Sequence, residues 1–177
     1  MKKITGILAI LALVTTAAQA SLNLGLSVLF DNNDLGSDVG IAIPKFGWQF
    51  TDNMTLNHTL EGELAFLAMD GDKGGDDYDG RAIPLMLNYR MDWTPNDVFG
   101  LYAGLGAGFS FNDMDKTSGT TASDDGVDFA YQIQLGTALT FAEQYRFNLG
   151  YRYLNTGDIL MVDGDHNIID LGFHYEF

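Results

Sequence analysis

Large apolar side chains recur at every second position in run after run along this chain. Near one end Leu22, Leu24, Leu26, Val28 and Phe30 alternate with Asn23, Gly25 and Ser27. At the other, Leu171, Phe173, Tyr175 and Phe177 alternate with Gly172, His174 and Glu176. A period of two places the two sets on opposite faces of an extended strand. Six further runs show the same alternation. Their apolar positions include Ala42, Pro44, Phe46, Trp48 and Phe50 in the second, Leu56, Leu60, Leu64 and Phe66 in the third, and Leu85, Leu87, Tyr89, Met91 and Trp93 in the fourth. Each run approaches the roughly 9–11 residues of a tilted membrane strand. In water such greasy strand faces invite aggregation. In lipid, a closed barrel turns them toward acyl chains and satisfies every backbone group. The pattern predicts an all-β fold, an eight-stranded antiparallel up-and-down transmembrane β-barrel over residues 21–177.

The connections support the same reading, because long and short links alternate. Asp31–Val39, Asp70–Gly80, Asn112–Gly126 and Asn155–Asp165 are read as long polar loops, and Thr51–Asn53, Thr94–Asp97 and Ala142–Glu143 as tight turns. Outer-membrane barrels carry long loops outside and short turns in the periplasm. Trp48, Phe50, Trp93, Phe99, Phe141 and Tyr145 fall at the short-turn ends of their strands and are the expected interfacial aromatics. Phe30, Phe66, Phe109, Phe111, Phe129 and Tyr153 fall toward the long loops and would form a second girdle.

Composition adds an address and a field. Lys2 and Lys3, an apolar stretch from Ile4 to Val14 and the small-x-small Ala18-Gln19-Ala20 predict a cleaved signal peptide over residues 1–20. The apolar run is short for a membrane span of about 20 residues. There is no cysteine, so no disulfide framework is expected. Without Lys2 and Lys3 the nine basic residues become seven against 24 acids, a formal charge of −17. Such a field repels nucleic acid.

The inward set of the alternation carries unusual charge: Lys45, Glu61, Glu63, Arg90, Asp92, Asp128, Arg146, Arg152, Asp170, His174 and Glu176. Charges enclosed in a narrow barrel must be paired and hydrogen-bonded. These residues are therefore the expected lumenal network, a salt-bridged plug, with inward glycines such as Gly104, Gly136 and Gly150 leaving room for the arginines. An eight-stranded barrel is only wide enough for its own side chains. An open diffusion pore is not expected.

Tyr102-Ala-Gly-Leu-Gly-Ala-Gly108, Gly150-Tyr-Arg-Tyr153 with Gly157-Asp158, and the terminal Phe177 give the chain its likeness to a known group. It resembles the small outer-membrane barrels of the opacity-protein and surface-antigen type, relatives of the OmpA/OmpX-like fold. The resemblance implies a Gram-negative outer membrane, lipid and lipopolysaccharide as surroundings, and a monomer. It implies a structural or adhesin-like role, with host or surface ligands met through the acidic loops. It also implies that Tyr175 and Phe177 are read by the barrel assembly machinery.

Candidate chemistry is sparse, and no cofactor is expected. Asp70, Asp72 and Asp76 lie in an acidic stretch that echoes a calcium loop, but Gly74 and Arg81 stand where ligands belong. A solvated acidic loop is the plainer reading. A lipid A-modifying enzyme is a further alternative; His58 faces lipid, yet Thr59, Glu61 and Glu63 point to the lumen. A narrow conduit for small or hydrophobic solutes would use Ala65, Leu67 and Met69 near the outer mouth, which are expected instead to pack beneath the loops.

Overall fold

The computed structural model describes residues 21–53, 55–117, 122–142, 144–160 and 162–177. The predicted signal peptide lies outside these residues, as does the side chain of Phe50. The strands are β1 (Ser21–Asn32), β2 (Ser37–Asn53), β3 (Leu56–Lys73), β4 (Asp76–Trp93), β5 (Phe99–Lys116), β6 (Ala122–Phe141), β7 (Tyr145–Asn155) and β8 (Asp165–Glu176). Each pairs antiparallel with the next, and β8 closes onto β1 with Ser27 opposite Gly172. Within the closed wall each strand is paired on both sides, while the β3–β4 and β5–β6 hairpins run on beyond it, with β3 unpaired to β2 past Phe66 and β6 unpaired to β7 before Tyr131.

Alternation decides which face each residue takes. Along β4, Leu85, Leu87, Met91 and Trp93 are exposed on the outer wall while Met86, Asn88, Arg90 and Asp92 are buried between them. The outer wall remains apolar all round, from Leu24 on β1 to Leu171 on β8. Such a surface is at home only in hydrocarbon.

The alternation is broken once within the predicted apolar sets. In the second run Ala42 was expected outside with Phe46, but Ala42 is buried inside and Ile41 and Ile43 face out. Ser27 pairs with Ala42 and Gly25 with Lys45, so β2 carries one extra residue there, and the β2–β3 register shifts at the same place. Pro44 sits in this bulge. It has no N–H to give to a ladder, and a bulge is where a strand tolerates that.

The long connections are also shorter than expected. β3 and β4 run on as a hairpin to a two-residue turn at Gly74 and Gly75, both at positive φ. The acidic segments 70–80 and 112–126 are therefore mostly paired strand, not loop. Left-handed turn positions suit glycine, and the flanking residues alternate well enough to continue the ladder. The β7–β8 connection, residues 156–164, is long, and its described residues Thr156, Ile159 and Val162 are buried inward.

Candidate functional site

The interior divides into two zones. In the zone nearer the short turns, Arg152 on β7 meets both Glu63 on β3 and Asp170 on β8, the latter at 2.5 Å. Lys45 on β2 reaches the same two carboxylates at 3.4 Å and 3.1 Å. Two cations and two carboxylates thus alternate in a neutral ring that ties β2 and β3 to β7 and β8. Arg152 is wholly buried. Closer still to the short turns, Asp92 accepts from both Arg90, at 2.9 Å, and Arg146. Arg90 also donates to Asn148 at 3.2 Å and lies 3.8 Å from the centre of the Tyr102 ring. His174 stands 4.0 Å from Glu61 between the two groups. Glu176 lines a cleft of about 10 Å³ at this mouth with Arg146 and His174. That is room for about one water molecule.

Ten of the eleven expected network residues gather in this zone; Asp128 does not. It lies near the opposite mouth, where Asn112 donates to it at 3.0 Å. The run of β6 explains the separation: Ala130 and the uncharged Gln132 stand between Asp128 and the ion pairs. The glycines also serve a different neighbour than expected. A Cβ on Gly150 would lie 2.0 Å from the Tyr102 hydroxyl and one on Gly136 would lie 2.7 Å from its ring. They make room for Tyr102, which in turn carries Arg90.

The outer zone is apolar. Leu29, Leu67, Met69, Met86, Met114, Leu154 and Ile168 are buried together there, so Leu67 and Met69 pack as expected. The β7–β8 connection caps them by burying Ile159 and Val162, which pair through a short bridge. Its inner side is polar. His166 is hydrogen-bonded to Asp31 at 2.5 Å and to the Thr156 hydroxyl at 3.1 Å, all three essentially without exposure. Hydroxyl, imidazole and carboxylate in series have the order of a hydrolytic triad. Here the hydroxyl also reaches the Gly164 carbonyl at 3.3 Å, and nothing can approach it from water or lipid. The set therefore fastens the connection to β1 and β8. Asp31 falls in a segment that the sequence pattern assigns to a loop, although it keeps the inward phase of Leu29, as His166 keeps that of Asp170.

Of the outward residues, Trp93, Phe99, Phe141 and Tyr145 are exposed at the short-turn ends and Trp48 is half-buried there. Tyr175 lies between Tyr145 and Phe177, its ring tilted to the first at 5.4 Å and edge-on to the second at 4.7 Å. Phe177 N–H donates to the Leu22 carbonyl at 3.0 Å. His58 faces out as expected and meets the Tyr89 hydroxyl at 2.6 Å, a pairing with no carboxylate from Glu61 or Glu63.

Asp70, Asp72 and Asp76 do not converge. Asp70 and Asp72 share the outer face of β3, whereas Asp76 begins β4 and holds Lys116 at 2.5 Å. Among the described residues no three His, Cys, Asp or Glu side chains form a metal-binding group. The carboxylates stand instead in rows across the hairpins. Asp70 is opposite Asp79, Asp79 opposite Asp115, Asp72 opposite Asp77, and Asp113 opposite Asp125. A hydrogen bond with Asp72 raises the pKa of Asp77 above the ordinary aspartate value. Asp34 is lowered by its bond to Lys73.

A family model described as the outer membrane protein beta-barrel domain matches residues 5–177. A candidate adhesin of Rickettsia canadensis (strain McKiel) is 24% identical over 142 residues, covering 73% of this chain. The chain spans about 62% of the length of that relative. Among solved structures, Ail, the attachment invasion locus protein of Yersinia pestis, superposes with a TM-score of 0.58 at 15% identity, covering 89% of this chain and 97% of that one. OprG, an outer membrane protein of Pseudomonas aeruginosa, gives 0.56 at 17%, with 90% and 96% covered. The outer membrane enzyme PagL gives 0.54 at 12%, with 86% and 98% covered. At such identities the shared property is the barrel, which serves attachment proteins and an enzyme alike. The chain belongs to the outer membrane protein beta-barrel domain family, and its place is the bacterial outer membrane.

Proposed function

We propose that this protein is a non-catalytic surface-contact protein whose filled barrel holds a stiff acidic rim outside the cell. The observation that carries the reading is the set of carboxylates facing one another across the β3–β6 hairpins. Like charges directly opposite one another weaken a sheet. Folding alone does not account for them, and contact with something cationic does. The partner is then a basic protein surface, or anionic lipopolysaccharide bridged through divalent cations. Ail has been crystallised with the heparin analogue sucrose octasulfate. The rim of this chain would repel a sulfated polyanion and so selects a different partner.

The reading takes the lumen as a plug, with ion pairs below and apolar side chains above, and assigns no solute passage. It takes removal of residues 1–20 on export, recognition of Tyr175 and Phe177 by the assembly machinery, and a monomer in lipid. Its test is attachment. Cells displaying the protein should bind a polylysine-coated surface more than a heparin-coated one, with the preference fading as salt rises. Asp70, Asp72, Asp77 and Asp79 all changed to Asn should lose most of the preference. Equal attachment by the wild-type and Asn-substituted barrels would remove the reading.

A further inference from the structure

Cations are distributed over the described residues with one exception to a simple rule. Lys45, Arg90, Arg146 and Arg152 are buried in the lumen. Lys73 and Lys116 lie on the inner side of the hairpin extensions, holding Asp34 and Asp76. Arg81 alone among these cations faces outward, with 66% of its side chain exposed. On β4 it is the outward residue next to Ile83 on the side of the hairpin tip, and the Ile83 row continues through Phe111 and Val127. Its own row, Ala68, Arg81, Asp113 and Asp125, is where the wall turns from apolar to acidic.

Two grooves open on either side of it. One, of about 450 Å³, is walled by Ile41, Phe66, Ala68 and Ile83 and closed toward the hairpin tip by Asp70 and Asp79. The other, of about 670 Å³, runs past Phe111 and Val127 on the far side. Both include Arg81 in their walls. The first exists because β2 and β3 part beyond the Ile41–Phe66 pair and because Ala68 fills little of the space.

We propose that Arg81 and the groove beside it hold one phosphorylated glycolipid of the outer leaflet, phosphate on the guanidinium and an acyl chain along Ile41, Phe66 and Ile83. The position requires hydrocarbon below and headgroups above, because the outer wall changes character at this row. A guanidinium is the side chain best matched to a phosphate, through two parallel hydrogen bonds. Its present partner, Asp113 at 2.8 Å, is an exposed pair of the kind that adds little to stability. Asp70 and Asp79 repel phosphate and so confine it to the Arg81 side of the groove. This site is independent of the contact role of the rim, since lipid is held below the rows of carboxylates.

The test uses the refolded barrel, lipid A in its bisphosphorylated and dephosphorylated forms, and native mass spectrometry from detergent containing millimolar magnesium. Wild-type protein should retain one bisphosphorylated lipid A. Arg81→Gln should weaken retention at least tenfold, and dephosphorylated lipid A should bind the wild type no better than that. Ala68→Trp, which fills the groove and leaves the guanidinium, should also weaken it. Asp113→Asn frees Arg81 and should retain lipid as well as the wild type or better. Heat-modifiable gel migration shows that each variant is folded. Equal retention by Arg81→Gln, loss in Asp113→Asn, competition by inorganic phosphate, or a protein dimer in place of the lipid adduct would overturn the proposal.

Discussion

The lower lumen and the outer rim are built from the same acidic residues, and their arrangements are opposite. Inside, Glu63, Asp92 and Asp170 each meet at least one cation. On the rim, Asp70 faces Asp79 and Asp72 faces Asp77. The difference is dielectric. An ion enclosed without a partner costs several kcal/mol, roughly, which favours sequences that pair it. In water the same repulsion is far weaker, roughly a few tenths of a kcal/mol to 1 kcal/mol per facing pair, and the fold tolerates it. The lumen is therefore constrained by stability, and the rim is free to be set by what it touches.

The sharpest way to break this comparison is to remove one lumenal charge. Arg152→Ala leaves Glu63 and Asp170 enclosed with Lys45 as their one remaining cation, and should cost about 3–5 kcal/mol in urea unfolding from lipid vesicles. Replacing Lys45, Glu63, Arg152 and Asp170 together by apolar residues of similar volume should restore much of that loss. A near-zero effect of Arg152→Ala would mean that water reaches the ring freely.

Next in size is the cap. Ile159→Ala removes buried apolar volume beneath the β7–β8 connection and should cost about 2 kcal/mol. Faster hydrogen exchange should be confined to residues near Thr156 and His166. Smaller again is overpacking: Gly150→Ala drives a methyl into the Tyr102 hydroxyl and should cost about 1 kcal/mol. In a Tyr102→Phe background that cost should shrink, which a double-mutant cycle in the same unfolding assay would read.

The smallest effect is on the rim and concerns pH. Asp77 has a raised pKa because its hydrogen bond with Asp72 is kept by the protonated form. The folded hairpin thus binds more protons than the unfolded one, and its stability falls as pH rises through and above the ordinary aspartate value of 3.8. Asp34 runs the other way: its pKa is lowered by Lys73, so its contribution is present above 3.8 and lost as pH falls below it. Hydrogen exchange at the β3–β4 tip, corrected for intrinsic rates, should therefore slow on acidification toward the carboxylate range, and Asp77→Asn should abolish that change. Exchange that speeds on mild acidification would contradict the facing-carboxylate arrangement.

Much of this was legible in the chain because a barrel wall reports itself residue by residue. Alternation assigned Arg90, Asp92 and Asp170 to the inside without any tertiary information, since a strand has only two faces. It failed where that premise failed. At Pro44 one extra residue reverses the faces; the marks are the proline and the odd phase of Val39, Ile41 and Ile43 before it, masked because Ala42 is small enough for either side. The acidic hairpins were read as loops because Asp and Gly are poor strand formers. The neighbouring strands supplied the pairing that these residues lack by propensity.

By itself, the sequence determined the strand count, the membrane-facing wall and the enclosed charges, because each follows from a period of two and the cost of polar groups in lipid. Only closure of the barrel decided which charges meet. Glu63 on β3 is far along the chain from Arg152 and Asp170 on β7 and β8, and its pairing with Arg152 depends on register around the barrel. The same holds for the cap over the lumen and for Arg81 standing between two grooves: both are properties of neighbouring strands in three dimensions, which no run of residues along one strand contains.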